Sequence, residues 1–539
     1  MTAQTHATMP AAFGASSNST SVTVRDGVMH LLRSFGMTTV FGNPGSTELP
    51  LYRNWPADFR YVLGLQESVV VAMADGYAQA TRNAAFVNLH SAAGLGHALG
   101  GIFTAYRNRT PLVITAGQQT RSMLMTDPFL FAQAAAEFPR PYVKWSVEPA
   151  RPHEVPAAIA RAYYTAMQPP CGPTFVSIPA DDWDQAGEII VPRQVSFSIR
   201  PEPRLLSRVA EALNASQRPA FVVGPAVDRN NAWDLVVRLA ERVKASVWAS
   251  PKSSRCSFPE DHGQFAGFLP AERNLIAAAL SNHDVVLVLG APAFSYHVET
   301  GGPFLAPGTA LYQIVDDAEL ASWAPGGTAV VASLDLAVSD LLDHTLHMER
   351  RLQPARAAST RIQASEVIGV EFLMQTLAEL RPDDSIVVEE APSSRPAMQQ
   401  HLPICRSDSF YATASGGLGF GLPAAVGVAL AQPGRHVIAL VGDGSSMYAI
   451  QALWTAAQHN VAMTFVIIRN GTYGALRGLA ARLGANAPVG VDLPDIDFVA
   501  LAAGHGCDGV RVGRSEALRA AMLGAFRSRR PSLVEVVVG

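Results

Sequence analysis

A chain of 539 residues exceeds one core at roughly 100 to 200 residues per domain, so three units are expected. The formal charge of −4 is small and the basic residues are scattered among acids, which excludes the positive stripe of a nucleic-acid surface. No run reaches the ~18 uninterrupted apolar residues of a membrane-spanning helix, and Cys171, Cys256, Cys405 and Cys507 form no CxxC pair, zinc spacing or disulfide framework, so a cytoplasmic setting is expected.

Taken in chain order, residues 1–21 lack a basic and apolar leader pattern and read as a flexible tail. From 22 to 191 the β-branched runs TTVFG, AFVNLH, PLVITAG and TFVSIPA alternate with alanine-rich helical stretches such as ESVVVAMADGYAQATR. The Pro-rich segment VPRQVSFSIRPEPR separates this unit from a second at 200–345, with strands in RPAFVVGPAV, ASVWAS, HDVVLVLGAPAF and ALYQIV. A linker, ERRLQPARAASTRIQAS, leads to a third unit at 365–539 with strands SIVVEE, HVIALVGDG, MTFVIIRNG and SLVEVVV. The expected fold is α/β: three doubly wound parallel-sheet domains in series, the first and third sharing one strand-helix rhythm.

The chemistry concentrates in the third unit. Gly442-Asp443-Gly444-Ser445 closes one predicted parallel strand and Asn470-Gly471-Thr472-Tyr473-Gly474 closes the next. Both therefore fall in the crevice at the carboxyl ends of the strands, where open α/β sheets bind ligands and a helix N-terminus faces a phosphate. Asp443, the Asn470 amide oxygen and a backbone carbonyl near Thr472 supply three oxygens of the near-octahedral shell that Mg²⁺ requires; a diphosphate and water supply the others. Either motif alone reads as a turn; the pair, each behind a buried strand, does not.

GDG followed by NG at this spacing, together with FGNPGS, LQES, NLHSAAG, TAGQQTR, LPAAVGVALA, ALWTAAQ and NGTYGALR, resembles the thiamine diphosphate-dependent 2-oxo acid decarboxylase and acetohydroxyacid synthase family, the benzoylformate decarboxylases in particular, from Val22 nearly to the C-terminus. The resemblance makes the three units pyrimidine-binding, middle (Rossmann-like) and diphosphate-binding domains. It implies thiamine diphosphate with Mg²⁺, for which Ca²⁺ or Mn²⁺ substitutes, and a homo-oligomer, a dimer at least and commonly a tetramer, because the family draws its glutamate and its GDG motif from neighbouring subunits. It assigns Glu67 to share a proton with N1′ of the aminopyrimidine, and Ser46, His90 and His297 as polar catalytic groups: Ser46 to the substrate carboxylate, His90 to the developing alkoxide, His297 to the later protonation. The cofactor-binding set it implies is Asn43, Pro44, Gly45, Glu67, Pro392, Ser393, Gly416 (a carbonyl for the aminopyrimidine), Leu418 (propping the bent cofactor), Gly442, Asp443, Gly444, Ser445, Tyr448, Asn470, Thr472, Tyr473, Gly474 and Ala475, with Asp443, Asn470 and Thr472 on the metal.

The implied reaction is decarboxylation of an aromatic 2-oxo acid, benzoylformate to benzaldehyde and CO₂, with carboligation as a side activity. The expected pocket, Phe129, Leu130, Ala412, Leu476 and Leu479, departs from the family: Ala412 and the Gly478-Leu479 pair replace aromatics, Phe129 replaces an aliphatic residue, and Pro392 replaces a threonine at the cofactor. Another bulky 2-oxo acid is therefore an alternative substrate. A carboligase of the acetohydroxyacid synthase or benzaldehyde lyase type and a cofactor-binding relic are the alternative functions. Gly94 to Gly100 superficially matches a dinucleotide fingerprint, but its last glycine is one position late and no acid follows at the required distance.

Overall fold

The computed structural model describes residues 22–350, 356–357, 359–485 and 488–539; the expected tail and part of the second linker lie outside these. The first sheet contains β1 (Thr39–Gly42), β2 (Arg60–Leu63), β3 (Ala85–Leu89), β4 (Leu112–Gln118), β5 (Ser146–Val147) and β6 (Pro173–Pro179), in the order β2-β1-β3-β4-β6-β5. The second contains β7 (Pro219–Val223), β8 (Ser246–Ala249), β9 (Phe265–Phe268), β10 (Val285–Leu289), β11 (Ala310–Val315) and β12 (Thr328–Val331), ordered β12-β11-β10-β7-β8-β9. The third contains β13 (Ile386–Glu390), β14 (Phe410–Ala412), β15 (Val437–Gly442), β16 (Met463–Arg469), β17 (Asp508–Val512) and β18 (Ser532–Val537), ordered β14-β13-β15-β16-β18-β17. All pairings between these strands are parallel. The first and third sheets have the same strand order, which accounts for their shared rhythm, and the middle sheet has the order of the dinucleotide-binding folds.

Six strands of the central positions are apolar, largely β-branched runs buried on both faces: β3, β4, β6, β7, β10 and β13 expose no residue. The chain order reverses between β1 and β3 in the first sheet and between β13 and β15 in the third. Ligands collect at the carboxyl side of such reversals because the flanking connections leave in opposite directions and open a crevice. The corresponding reversal in the middle sheet is closed: a Cβ on Gly224, after β7, would stand 2.4 Å from the Ala291 side chain that follows β10.

The first and third domains share a core. The helix Glu67–Thr81 lies against the helix Gly421–Ala431 so closely that a Cβ on Gly76 would stand 2.1 Å from the Ala424 carbonyl oxygen, and one on Gly427 1.9 Å from that of Met73. Only glycine at both positions permits this approach. Arg255 of the middle domain ties the three together. Fully enclosed, it donates to Asp228 at 2.8 Å, to Asp408 of the third domain at 2.6 Å and to Gln79 of the first at 3.3 Å, and lies 4.6 Å over the Tyr411 ring. Asp75, also fully buried, accepts from Gln79, Asn108 and Thr110, and burial pushes its carboxyl up to about 6.

Candidate active site

Two clusters of functional side chains form, one at each reversal. In the first sheet, the chain leaves β1 through Asn43-Pro44-Gly45 into a short 3-10 turn, Ser46–Glu48. Asn43 donates to the Gly64 carbonyl at 2.8 Å, fixing this loop to the end of β2. Ser46 is exposed and caps nothing, since Gly45 holds the cap position. Glu67 is the first residue of its helix, behind Gln66, whose side-chain oxygen accepts from the Ser68 and Val69 amides. The Glu67 side chain is 13% exposed, as a largely buried carboxylate requires.

His90 closes β3 and caps the helix Ser91–Asn108, but its ring takes no part in the cap. Instead Nδ1 lies 2.8 Å from Glu48 Oε2 and 3.2 Å from Thr47 Oγ1. Glu48 is 1% exposed and also accepts from the Gly45 amide at 2.9 Å, the Thr47 hydroxyl at 2.7 Å and the Gly117 amide at 2.9 Å. A carboxylate so surrounded by donors requires the Nδ1–H tautomer of His90 and leaves Nε2 as the ring's acceptor nitrogen. Gly45 makes room for the ring: a Cβ there would overlap Nδ1 at 2.0 Å. Gly94, one turn along the helix, brings the two predicted groups together, because its missing Cβ would meet Glu67 Oε1 at 3.0 Å and the His90 Cβ at 3.4 Å.

The third-sheet cluster gathers the ends of four strands. Asp443, 4% exposed, begins a helical turn behind β15; its Oδ2 accepts from the Asn470 amide at 3.0 Å and the Gly471 amide at 2.7 Å, and Oδ1 from the Gly444 amide at 2.8 Å. Burial pushes its carboxyl up, against the pull of these amides. Asn470 Oδ1 accepts from the Thr472 amide at 3.1 Å, so Asn470 and Thr472 sit on one tight loop beside Asp443. The loop packs under the segment after β13: a Cβ on Gly474 would stand 3.0 Å from Asn470 Nδ2 and 3.2 Å from Ser393 Cβ. Gly444 likewise yields space to the Tyr473 ring, and Gly419 to Tyr448. One carboxylate, one amide and adjacent backbone carbonyls suit a hard divalent cation that also binds a diphosphate, and the glycines leave a cradle that any Cβ would fill.

Gly416, at φ 75, and Leu418 belong to a turn fixed at both ends. Glu390, 3% exposed at the end of β13, accepts from the Gly419 amide at 2.6 Å and from the Gly421 amide. On the other side Thr104 meets Ser415 at 2.9 Å and Asn108 Oδ1 accepts from the Ala414 amide at 2.8 Å. The helix headed by His90 thus carries the glycine turn near its far end. At a rise of ~1.5 Å per residue, His90 and Thr104 are about 20 Å apart, so one chain holds the two clusters at opposite ends of one helix.

Other expected residues are placed less centrally. His297, in the loop after β10, is exposed and held by its backbone amide to the Ala271 carbonyl at 2.8 Å; among the described residues no side-chain bond joins it to either cluster. Ala412 is fully buried at the end of β14, whereas Phe129 is 86% and Leu476 52% exposed, and Leu130 and Leu479 are half-buried. Pro392, Ala475 and Tyr448 are exposed, and Gly442 and Ser445 flank Asp443. Glu48, His97 and Glu390 were not expected. A glutamate three residues after Gly45, a histidine seven after His90 and the second acid of a strand-ending pair are the only sequence marks they bear.

Comparison with known proteins converges on the same ligand. The N-terminal, central and C-terminal domain profiles of thiamine pyrophosphate enzymes match residues 22–134, 206–341 and 393–536. The chain belongs to the thiamine pyrophosphate enzyme family. The benzoylformate decarboxylase of Pseudomonas aeruginosa is 44% identical over 519 residues, covering 95% of this chain and 98% of that one. The crystal structure of benzoylformate decarboxylase from Polynucleobacter necessarius matches with a TM-score of 0.94 at 40% identity, over 96% of this chain and 98% of the other. The thiamine diphosphate-dependent 4-hydroxybenzoylformate decarboxylase of Rhodococcus jostii RHA1 matches at 0.93 and 40%, over 96% and 99%. Within the thiamine pyrophosphate enzymes this chain is a carboxy-lyase homologue, and the carboligase alternative is not favoured.

Proposed function

We propose that this thiamine pyrophosphate enzyme decarboxylates benzoylformate, or a closely related aryl 2-oxo acid, to the aldehyde and CO₂. The observation that carries the reading is the pairing of His90 with buried Glu48 beside Glu67, in a chain whose full-length relatives at 40–44% identity include aryl 2-oxo acid decarboxylases. When bound, thiamine diphosphate supplies the electron sink for the departing CO₂. The chain's own groups bind, orient and move protons. Glu67 exchanges a proton with the aminopyrimidine ring; Ser46 hydrogen-bonds the substrate carboxylate; His90, its tautomer set by Glu48, presents Nε2 to the substrate oxygen; His297 delivers the later proton. Asp443, Asn470 and Thr472 would hold Mg²⁺, and the segments Pro392–Ser393, Gly416–Leu418 and Gly442–Ser445 would hold the cofactor.

Homo-oligomerisation completes the site in this reading. The two clusters lie at opposite ends of one helix, and both carry exposed apolar side chains: Leu49, Leu65 and Phe129 near the first, Met447, Tyr448 and Leu476 near the second. Apolar surface of this kind beside polar functional groups marks a face that another chain covers. A second copy seats its first cluster on the other's third-sheet cluster, in a dimer and, by pairing of dimers, a tetramer. Among the described residues no helix is long and apolar enough to cross a membrane, and the four cysteines are free, which supports a cytoplasmic enzyme. Carboligation is the expected side activity.

The test is a substrate panel on the holoenzyme: benzoylformate, 4-hydroxybenzoylformate, phenylpyruvate, pyruvate and a branched aliphatic 2-oxo acid. The highest kcat/KM falls on one of the two benzoylformates. A preference for pyruvate, or ligation without aldehyde release, would overturn the substrate assignment.

A further inference from the structure

His97 is unused by the reading above, yet its Nδ1 lies 3.1 Å from Glu67 Oε2, the only hydrogen bond of the Glu67 side chain among the described residues. The contact follows from helix geometry. His90, Gly94 and His97 are spaced i, i+4 and i+7 on the helix Ser91–Asn108, so they share one face. His90 heads that face; Gly94 opens it, since its absent Cβ would press on Glu67 Oε1 at 3.0 Å; His97 closes it against Oε2. Glu67 is thus gripped on one oxygen and given clearance at the other.

We infer that His97 is the positioning residue of Glu67: its Nδ1–H holds Oε2 and so aims Oε1 at the group with which Glu67 exchanges its proton. The inference rests on the reading of Glu67 as the group that addresses the aminopyrimidine. With Glu67 as a carboxylate, the bond requires the proton on Nδ1 of His97. A glutamate side chain at a helix start has three free torsions, and proton transfer falls steeply once the acceptor leaves hydrogen-bond reach, so a single fixed oxygen separates a productive from an idle rotamer.

The experiment compares His97→Phe, His97→Asn, Glu67→Gln and Glu67→Ala with the wild type. Asparagine places an amide N–H near the position of Nδ1; phenylalanine keeps the ring and loses the donor. Three quantities are read: the exchange rate of the thiamine C2 proton in the loaded protein, the dissociation constant of thiamine diphosphate, and, in the apoprotein, the ¹⁵N shift that reports whether Nδ1 of His97 is protonated. Loss of one charge-assisted hydrogen bond predicts that His97→Phe slows exchange and kcat about tenfold, with KM, cofactor affinity and melting temperature unchanged, and that His97→Asn restores them. In the apoprotein the protonated-Nδ1 signal falls on Glu67→Ala, which removes the acceptor. If His97→Phe exchanges at the wild-type rate while Glu67→Gln does not exchange, the inference fails and the role of Glu67 stands. If His97→Asn is as slow as His97→Phe, the hydrogen bond is not the cause and the inference also fails. If Glu67→Gln itself exchanges normally, the reading beneath the inference falls first.

Discussion

Glu48→Gln isolates what the carboxylate behind His90 contributes. Glu48 is enclosed and receives four donors: the Gly45 and Gly117 amides, the Thr47 hydroxyl and His90 Nδ1. Glutamine preserves the shape but offers a single oxygen, so its amide nitrogen must face one pair of those donors. If it faces His90, it donates to Nδ1, moves the ring proton to Nε2 and reverses the tautomer presented to substrate. If it faces Gly117, two buried donors collide. A hydrogen bond to a charged group is worth about 1.5–3 kcal/mol, so kcat should fall about 10- to 100-fold. KM should change less than threefold, because Glu48 reaches the substrate only through His90. Steady-state aldehyde release gives both constants, and ¹⁵N spectra of the imidazole give the tautomer. Wild-type kcat in a folded, cofactor-replete Glu48→Gln protein would refute the role assigned to the Glu48–His90 pair.

Three further outcomes follow from other parts of the molecule. Arg255→Met removes the guanidinium paired with the enclosed Asp228 carboxylate, while Asp408 keeps Arg82; one buried carboxylate left without its cation is a loss of about 3–5 kcal/mol, read as a lowered urea midpoint, and an unchanged midpoint contradicts the hub. Burial pushes the Glu390 carboxyl up from near 4.5 to about 8, against the Gly421 and Gly419 amides. The folded chain therefore holds that proton more tightly than the unfolded one, and the stability Glu390 adds is full below pH 4.5 and lost as the pH rises through 8. Glu390→Gln should flatten the fall in melting temperature across that window; parallel curves would count against it. Asp443→Ala should leave the apoprotein folded but unable to retain thiamine diphosphate at any Mg²⁺ concentration, as EDTA does to the wild type, with equilibrium dialysis as the measure; retention of the cofactor would remove Asp443 from the metal site.

Central strands were legible in the sequence because a parallel strand covered on both faces must be a continuous apolar run, as in HVIALV, MTFVIIR and HDVVLVL. The strands that escaped notice, β5, β9, β12, β14 and β17, are all at sheet edges. An edge strand is short or half exposed: β5 has two residues, and four of the five in β17, Asp508–Val512, face solvent. Nothing in DGVRV distinguishes it from a loop until β18 supplies its partner.

The candidate site divides in the same way. Asp443 and Asn470 were legible because each follows a strand directly, so local position fixes their surroundings. Glu48, His97 and Glu390 act across the chain: Glu48 is joined to Gly117 and His90, His97 to Glu67, and Glu390 to a turn about thirty residues on. Such pairings depend on where folding brings distant segments, which periodicity does not encode. Gly76 and Gly427 show the same limit, since each reads as an ordinary helix glycine until the two helices cross at backbone contact.

The most direct test of the account uses protein stripped of cofactor and metal, given benzoylformate, and assayed for benzaldehyde and CO₂ before and after adding back thiamine diphosphate and Mg²⁺. The account predicts no product from the stripped protein, and equal amounts of aldehyde and CO₂ once both are restored, with none from Glu67→Ala under the same conditions. Product without thiamine diphosphate, or full turnover by Glu67→Ala, would contradict it.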